Sequence, residues 1–348
     1  MNKRIRLALI AVLIIAILIV VVIFIYFAEQ WREQKNVEQA ELAKIINEPI
    51  EVCEQIRKID GLCYEGAEPG LYAVMIENHS DARPQSGLAE ASLVYEAIVE
   101  APITRFLAIF SADKNIEKIG PVRSARPFYI DWSQEFGSPY VHVGGSNAAL
   151  DLLAKSYSFD LNEFSNGQYF WRDWTRPEPH NVYTSSELIG KAIENKGWAI
   201  KNDFASWSFT PEVKSAAQAT EQTIEVDFAT AEYSVQWKYD QKQNNYIRYQ
   251  AGKVFEDKEN GEIRANNVAV MYTDSKVIDD YGRRETRTIG SGEAVVFSGG
   301  EAKVGEWRRP NLQGRTRFYD EAGQEISFLP GPTWIEVVPI HFPAVSWK

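Results

Sequence analysis

The segment LYAVMIENHSDARPQSGLAEASLVYEAIVE, residues 71–100, decides the fold class of this chain. It contains two short apolar runs, Leu71–Glu77 and Leu93–Val99, whose β-branched and aromatic content and length are typical of strands. Two further runs of this kind follow at Arg105–Phe110 and Tyr140–Val143. The sequence therefore predicts a sheet of short strands.

Helices are predicted between some of these strands. The candidate segments are Gly87–Ser92, Pro127–Phe136, Asn147–Lys155 and Ser185–Lys196. Proline favours the first position of a helix, and asparagine or serine caps its first amides. The alternation of strands and helices indicates an α/β domain.

The second half of the chain has a different pattern. From about Thr223 it alternates in strand fashion, as in YSVQWKYD, NVAVMYTD and TWIEVVP, with turn signals between the runs. Gly197–Gln222 shows no clear periodicity, which places a domain boundary there. We predict a cytoplasmic tip and transmembrane helix over residues 1–28, a helical stalk and disulfide-closed entrance over 29–66, an α/β domain over 67–210 and a β-rich domain over 211–348.

The N-terminus contains an uncharged apolar run, Leu7–Ala28. Its length matches the ~20 residues that cross a membrane as a helix. Lys3, Arg4 and Arg6 precede it and Glu29 follows it, so the positive-inside rule predicts a single-pass protein of the plasma membrane. Its N-terminus would be cytoplasmic and its bulk extracytoplasmic. A cleavable signal peptide is the alternative, although the run exceeds the usual ~7–15 apolar residues.

The chain has two cysteines, Cys53 and Cys63. In an oxidising compartment a lone close pair most simply forms one loop-closing disulfide. Two independent free thiols are the alternative. A zinc site at these cysteines is disfavoured because no histidine or further cysteine is near them in the sequence.

Composition excludes several classes of protein. With 348 residues, of which 45% are hydrophobic, the chain can bury a large core and is not disordered. Its formal net charge of −11 argues against a nucleic-acid partner, because binding to phosphates needs a basic face.

A second segment, GPVRSARPFYIDWSQEFGSPYVHVGGS at Gly120–Ser146, carries the functional signal. Its glycines allow tight turns and close backbone approach, while Arg123 and Arg126 present planar charged groups that suit a carboxylate or a phosphate. The turn VGGSN resembles a phosphate-binding turn more than the setting of an activated serine, and no GxSxG motif exists. We therefore expect an anionic ligand.

The predicted ligand-binding residues lie in loops or at strand ends of the α/β domain. They are Asn78, His79, Arg105, Arg123, Arg126, Gly144, Gly145, Ser146, Asn147, Arg172, Arg176 and His180. The alternative is that the arginines form salt bridges with the acidic residues of the same domain, which are Glu77, Glu96, Glu100, Asp131 and Asp173. No catalytic residue and no cofactor can be named.

Metal-binding motifs are absent from the sequence. The four histidines, His79, His142, His180 and His341, form neither an HxH nor an HExxH spacing. A metal site would have to assemble from distant loops, so we expect none.

Several motifs carry a family resemblance. MIENHSDARPQSGLAEASLVYEAIVE, ITRFLAIFSA, IGPVRSARPFYIDW, HVGGS and PHNVYTSS occur in the order in which the YerB-like family of bacterial envelope lipoproteins has them. The chain resembles that family over most of its length after residue 67. The resemblance implies a two-part domain of unknown function and an envelope location, and it implies no catalytic residue. This chain lacks the family's lipobox cysteine.

The order of arginines is also similar to that of the LytR-CpsA-Psr envelope phosphotransferases. In those enzymes arginines hold the pyrophosphate of a lipid-linked glycan. Their second motif typically pairs Arg with Asp, whereas this chain has Arg123-Ser124 and Arg126-Pro127.

Together these features predict an envelope protein that recognises an anionic ligand or partner, such as a cell-wall component or its precursor. A phosphoryl-type transferase or hydrolase that acts on a lipid-linked precursor is one alternative. A noncatalytic scaffold with a protein partner is another.

Overall fold

The computed structural model describes residues 14, 18–19, 21–35, 55–100, 102–210, 222–340 and 345–348. The chain divides into two compact units, Met1–Cys53 and Glu54–Lys348. In the first unit, residues 21–35 are helical.

The predicted membrane helix over Leu7–Ala28, and with it the single-pass localisation, is wrong. Among the described residues, no helix is both long and apolar enough to cross a membrane. Within the helical residues 21–35 the apolar run ends before Glu29, and Arg32 and Lys35 follow, so the described helix is largely polar over its second half.

The predicted disulfide involves Cys53, which lies outside the described residues, as does most of the predicted stalk. In the second unit, Ile56 and Cys63 form an isolated antiparallel backbone bridge. The disulfide stays a prediction.

Short strands dominate the second unit. Among the described residues they are β1 Leu71–Glu77, β2 Leu93–Glu100, β3 Ile103–Ser111, β4 Tyr140–His142, β5 Asp160–Asn162, β6 Trp171–Arg172, β7 Val182–Tyr183, β8 Thr223–Asp227, β9 Ser234–Asp240, β10 Asn245–Gln250, β11 Lys253–Val254, β12 Glu256–Asp257, β13 Gly261–Glu262, β14 Arg264–Ala265, β15 Asn267–Thr273, β16 Ser275–Val277, β17 Arg284–Thr286, β18 Gly290–Ser298, β19 Glu301–Arg309, β20 Arg317–Asp320, β21 Thr333–Pro339 and β22 Val345–Trp347. The α-helices of this unit are α1 Pro127–Ser133, α2 Asn147–Ser156, α3 Glu163–Asn166 and α4 Ser186–Asn195. Single 3₁₀ turns occur at Ser80–Ala82, Leu88–Glu90, Gly167–Tyr169 and Ala231–Tyr233.

A mixed sheet with the strand order β20-β19-β18-β15-β21-β2-β3-β1-β4-β5 forms the centre of this unit. A second sheet has the order β11-β10-β9-β8-β22, with β14 beside β10. The predicted α/β pattern followed by a β-rich region is confirmed at this level. Strands from both halves of the chain share the central sheet, because β21 pairs in parallel with β2 on one side and with β15 on the other. The domain boundary at residue 210 stays a prediction.

Both faces of the central sheet are buried along β1, β2, β3 and β21, which explains why β1 is apolar at every position except its last. Val74 and Ile76 belong to a core cluster that includes Trp237 of the second sheet. Ala73 and Met75 point to the opposite face and belong to a cluster that includes α1 and α2. The central sheet therefore packs against the second sheet and α4 on one face and against α1 and α2 on the other.

A buried charge network joins the two sheets. Nη2 of Arg248 lies 2.6 Å from Oε2 of Glu96, and both side chains are fully inaccessible to solvent. Glu96 lies directly opposite Glu336 in the β2–β21 ladder, so a single arginine faces two carboxyl groups. Nε1 of Trp237 donates a hydrogen bond to Oε1 of Glu336 at 2.8 Å.

Burial raises the pKa of Glu336 well above its ordinary value, and the negative charge of Glu96 acts in the same direction. Arg248 and the hydrogen bond from Trp237 oppose this shift. The folded protein therefore binds a proton at Glu336 that the unfolded chain releases above a pH of about 4.3. The resulting stabilisation is complete below that pH and is lost as the pH rises towards the pKa of the folded state.

Replacing Glu336 with glutamine should flatten the pH dependence of stability. The amide of the Glu336→Gln variant would imitate the protonated carboxyl group, so the variant should lose a slope of up to about 1.4 kcal/mol per pH unit over this window. Urea unfolding of the full chain between pH 5 and pH 8 measures the difference from the unsubstituted protein. Glu301→Gln, at an exposed position of β19, is the control. Equal slopes for Glu336→Gln and the unsubstituted protein would contradict the assignment.

Candidate anion-binding pocket

The carboxyl ends of several strands meet at one edge of the central sheet. β1 is parallel to β4 and β2 is parallel to β21, while β3 is antiparallel to both β1 and β2. Ligands of open α/β sheets bind at such an edge. The loops that follow β1, β2, β4 and β15 are therefore where a ligand is expected to bind.

A cavity of about 610 Å³ opens at this edge. It lies between the first residues of α1, the first residues of α2 and the β16–β17 hairpin. Its lining residues are Arg126, Pro127, Phe128, Asp131, Ser146, Asn147, Ala148, Ile278, Asp279, Arg283, Arg284, Glu285 and Thr286. We call this cavity the edge pocket.

The turn between β4 and α2 brings a helix N-terminus to the edge pocket. Gly144 adopts a left-handed conformation with φ of 58°, and its N–H donates to Oδ1 of Asn162 at 3.0 Å. Gly145 forms a parallel bridge with Ala125. Oγ of Ser146 then caps α2 by accepting the N–H of Ala149 at 3.3 Å. The first turn of this ten-residue helix supplies amide groups and the positive end of its dipole.

Arg126 brings a buried positive charge to the same pocket. Its side chain is 10% exposed, and its Nη1 donates to the carbonyl oxygen of Ala125 at 2.7 Å. Nη2 pairs with Glu100, and Nε is buried without a hydrogen-bond partner in the described structure. Burial lowers the pKa of Arg126, and the charge of Arg283 adds to this effect. A negative ligand would counteract both the burial and the repulsion from Arg283, and would raise the pKa of Arg126.

Acidic groups also line the edge pocket. Burial raises the pKa of Asp131, whose Oδ2 accepts a hydrogen bond from the hydroxyl of Thr288 at 2.9 Å. Asp279 is paired with Nε of Arg283 at 2.5 Å. Arg284 donates to the backbone oxygen of Ser275 at 3.1 Å.

Arg105 and Arg123 lie at the same sheet edge but do not line the edge pocket. Nη1 of Arg105 donates to the carbonyl oxygen of Ser124 at 2.7 Å, and its Nη2 lies 3.6 Å from Oε2 of Glu100. Burial lowers the pKa of Arg105 to about 10, which the charge of Glu77 opposes. Nε of Arg123 lies 2.9 Å from Oε1 of Glu77, without the alignment of a hydrogen bond.

These contacts form a chain of charges, which we call the edge ion-pair chain. Glu77 contacts Arg123 and stands opposite Arg105 in the β1–β3 ladder. Glu100 contacts both Arg105 and Arg126. The salt bridges to Glu77 and Glu100 that were the alternative to a ligand site are thus present, while Arg126 combines such a bridge with a place in the edge pocket.

Arg172 and Arg176 lie apart from the edge pocket. Arg172 pairs with Glu178 at 3.2 Å and donates to Oδ1 of Asn181 at 3.0 Å. Arg176 donates to the carbonyl oxygens of Asp81 and Pro84.

Asn78, His79 and His180 also lie outside the lining. Nδ2 of Asn78 donates to the hydroxyl of Thr104 at 2.7 Å, within the buried network around Glu96. The rings of His79 and His180 stack with centroids 4.7 Å apart. Of the predicted residues, Arg126, Ser146 and Asn147 line the edge pocket, and ligand binding by the whole predicted set stays a prediction.

The β16–β17 hairpin is the part of the site that the sequence analysis missed. It supplies Arg283 and Arg284 together with Asp279, from a segment interpreted only as β-rich. The run of charged residues around Gly282, DDYGRR, is the signal that could have identified it.

Two family models match the chain. The N-terminal domain of the protein of unknown function DUF3048 matches residues 64–199, and the corresponding C-terminal domain matches residues 224–335. A curated relative, the putative lipoprotein YerB of Bacillus subtilis (strain 168), is 37% identical over 273 residues, which cover 77% of this chain and 80% of the relative. The crystal structure of the YerB protein from Bacillus subtilis superposes with a TM-score of 0.77 at 33% identity, covering 85% of this chain and all of that one. These findings confirm the resemblance to the YerB-like family.

Gly120 should be among the least replaceable residues of the segment that carries the arginines. It has φ of 145°, and a Cβ there would lie 2.8 Å from the nitrogen of Val122 and 2.9 Å from the carbonyl oxygen of Val182. Gly137 has φ of 56°, but a Cβ there would have nothing within 4 Å, so Gly137→Ala is the matched control.

We expect Gly137→Ala to cost roughly 1–2 kcal/mol through backbone strain alone. Gly120→Ala should cost about 1–3 kcal/mol more, because backbone atoms must move to admit the methyl group. Chemical denaturation of the two variants measures this difference. Equal free energies of unfolding would show that the loop absorbs the methyl group without cost.

Proposed function

The chain belongs to the DUF3048 family of proteins of unknown function, and we propose that it is an envelope-associated protein that binds an anionic ligand in the edge pocket. Envelope association is supported by the relative that is named a putative lipoprotein. The observation that carries the ligand proposal is the buried side chain of Arg126, which lines the edge pocket beside the N-terminus of α2.

Three features of the edge pocket support an anion rather than a neutral ligand. Arg126, Arg283 and Arg284 line it together, and the helix dipole of α2 adds partial positive charge. Arginine also offers paired N–H groups in a plane, which match carboxylate and phosphate oxygens. Arg126 also gains from a negative ligand because its guanidinium is buried, and burial of a charge is costly unless the charge is paired.

The size of the edge pocket favours an anionic group that is part of a larger molecule. A cavity of about 610 Å³ falls in the range of about 300–1,000 Å³ that holds organic ligands. Phe128 and Ile278 give part of its wall an apolar character. A phosphate or carboxylate on a lipid-linked or glycan-linked wall component would use both kinds of surface.

We do not extend the proposal to group transfer. An enzyme of that type would need acids beside a cluster of Arg105, Arg123 and Arg126. In the described residues, Asp131, Asp279 and Glu285 line the edge pocket, but Arg105 and Arg123 are outside its lining, so the three arginines do not share one site with these acids. Recognition of an anion therefore fits the geometry better than catalysis.

Pyrophosphate is a suitable probe for this site, and its binding can be measured by calorimetry and by thermal shift of the full chain. Binding to the native state alone raises its stability, by about 2.7 kcal/mol at a ligand concentration of 100 times Kd. We expect Arg126→Gln to weaken binding at least about tenfold, because it removes a charged hydrogen-bond donor worth about 1.5–3 kcal/mol. Arg317→Gln is the control, since Arg317 pairs with Glu325 and is outside the lining.

Glu100→Gln should have the opposite effect on pyrophosphate binding. Glu100 competes with a ligand for the guanidinium of Arg126, so removing its charge should tighten binding while it lowers stability. Opposite changes in affinity for Arg126→Gln and Glu100→Gln are the specific signature of this site. Absence of pyrophosphate binding by the unsubstituted protein, or equal affinity in all variants, would refute the proposal.

A further inference from the structure

A second polar cluster lies where the loop after β1 meets the loop between β6 and β7. It consists of His79, Asp81 and His180, whose potential ligand atoms all lie within 4.8 Å of one another. Oδ2 of Asp81 is 3.7 Å from Nδ1 of His79 and 3.9 Å from Nε2 of His180. We propose that these three side chains bind a divalent transition-metal ion, for which Zn²⁺ is the probe.

The donor set fits such an ion. Two imidazoles and one carboxylate are ligands that zinc takes, with bonds of about 2.0–2.2 Å. Ligand atoms of a tetrahedral zinc ion are therefore about 3.3 Å apart. The observed separations of 3.7 Å and 3.9 Å exceed this value by roughly half an ångström. Small side-chain rotations of Asp81 and His79, which are both partly exposed, would close the difference.

Glu77 prepares His180 for this role. Oε2 of Glu77 lies 2.9 Å from Nδ1 of His180, and Glu77 is almost fully buried. A carboxylate at this position keeps the proton on Nδ1, so the lone pair of Nε2 points away from Glu77 towards Asp81. This carboxylate–histidine arrangement is the usual support of a histidine that binds a metal.

His79 presents an unprotonated nitrogen, because its Nδ1 accepts a hydrogen bond from the backbone N–H of Asp81 at 3.3 Å. Zinc bound at this nitrogen would replace that hydrogen bond, since the nitrogen has one lone pair. Arg176 fixes the two loops relative to each other, because it belongs to the β6–β7 loop and donates to the carbonyl oxygens of Asp81 and Pro84. The two loops are thus held together, and Asp81 and His79 need only small rotations to surround an ion.

Three protein ligands leave one coordination position open. Structural zinc sites are usually closed by four protein ligands, whereas a three-ligand site holds water or a ligand at the fourth position. The expectation of no metal relied on the absence of HxH spacing. The fold brings His79 and His180 together from loops that are distant in sequence. The spacing of histidines along the sequence could not show this pair of ligands.

Calorimetry of the chelator-treated full chain with Zn²⁺ tests the proposal, and Co²⁺ absorption reports the coordination geometry. We expect one equivalent of zinc and a tetrahedral Co²⁺ spectrum. His79→Ala should abolish both, and this partly exposed residue can be replaced with little risk to folding. Asp81→Asn should weaken zinc binding, whereas Asp227→Asn, which replaces another exposed aspartate, should leave it unchanged.

Glu77→Gln separates the role of positioning from that of ligation. It keeps the size of the side chain but removes the carboxylate that orients His180, so the zinc affinity should fall by roughly 10–100-fold while the stoichiometry stays at one. Thermal unfolding of each variant identifies any that fail to fold, and His180→Gln replaces His79→Ala as the ligand variant if His79→Ala does not fold. Absence of zinc binding by the unsubstituted protein, or binding that survives His79→Ala unchanged, would overturn the proposal. The edge pocket is tested separately with pyrophosphate. A negative result with zinc therefore does not refute the anion site, and a negative result with pyrophosphate does not refute the metal site.

Discussion

Neutralisation of buried arginines at the carboxyl edge of the central sheet is the constraint on which the rest of the site depends. An arginine cannot lose its charge at any ordinary pH, so burial requires a partner. Glu77 and Glu100, at the ends of β1 and β2, provide it. Their placement fixes Arg105, Arg123 and Arg126, and Arg126 alone of these extends the edge ion-pair chain into the edge pocket. At the other end of the edge ion-pair chain, Glu77 also forms a hydrogen bond with His180.

In the charge network around Arg248 a buried arginine is also neutralised by a carboxylate, but this network stabilises the packing of the two sheets. Arg248 and Glu96 are fully buried, and the guanidinium lies over the rings of Phe255 and Trp334. Arg248 and Glu96 do not line the edge pocket, and their contact joins β10 of the second sheet to β2 of the central sheet. Buried charge by itself therefore does not mark a binding site. The edge ion-pair chain differs because one of its arginines, Arg126, lines the edge pocket.

Local features of the sequence were sufficient to predict the strands β1 to β4 and the beginnings of α1 and α2. Pro127 opens α1 as expected, and the cap of α2 is Ser146, one residue before the predicted Asn147. The ion-pair partners of the arginines could not be predicted. Glu100 and Arg126, for example, are distant in sequence and come into contact only in the folded protein. The contribution of Arg283 was missed for the same reason, since the β16–β17 hairpin is far from Gly120–Ser146 in sequence. The membrane helix was predicted from apolar length alone, and the described helix becomes charged from Glu29 onward.

Arg126 and the N-terminus of α2 together build the proposed anion site in the edge pocket. The decisive measurement is a crystal structure of the full chain grown with pyrophosphate. We expect electron density for pyrophosphate in the edge pocket, with phosphate oxygens within hydrogen-bond distance of Arg126 and of the first backbone amides of α2. Pyrophosphate bound only at other surfaces, or an edge pocket that stays empty at a saturating concentration, would show that this pocket is not an anion site.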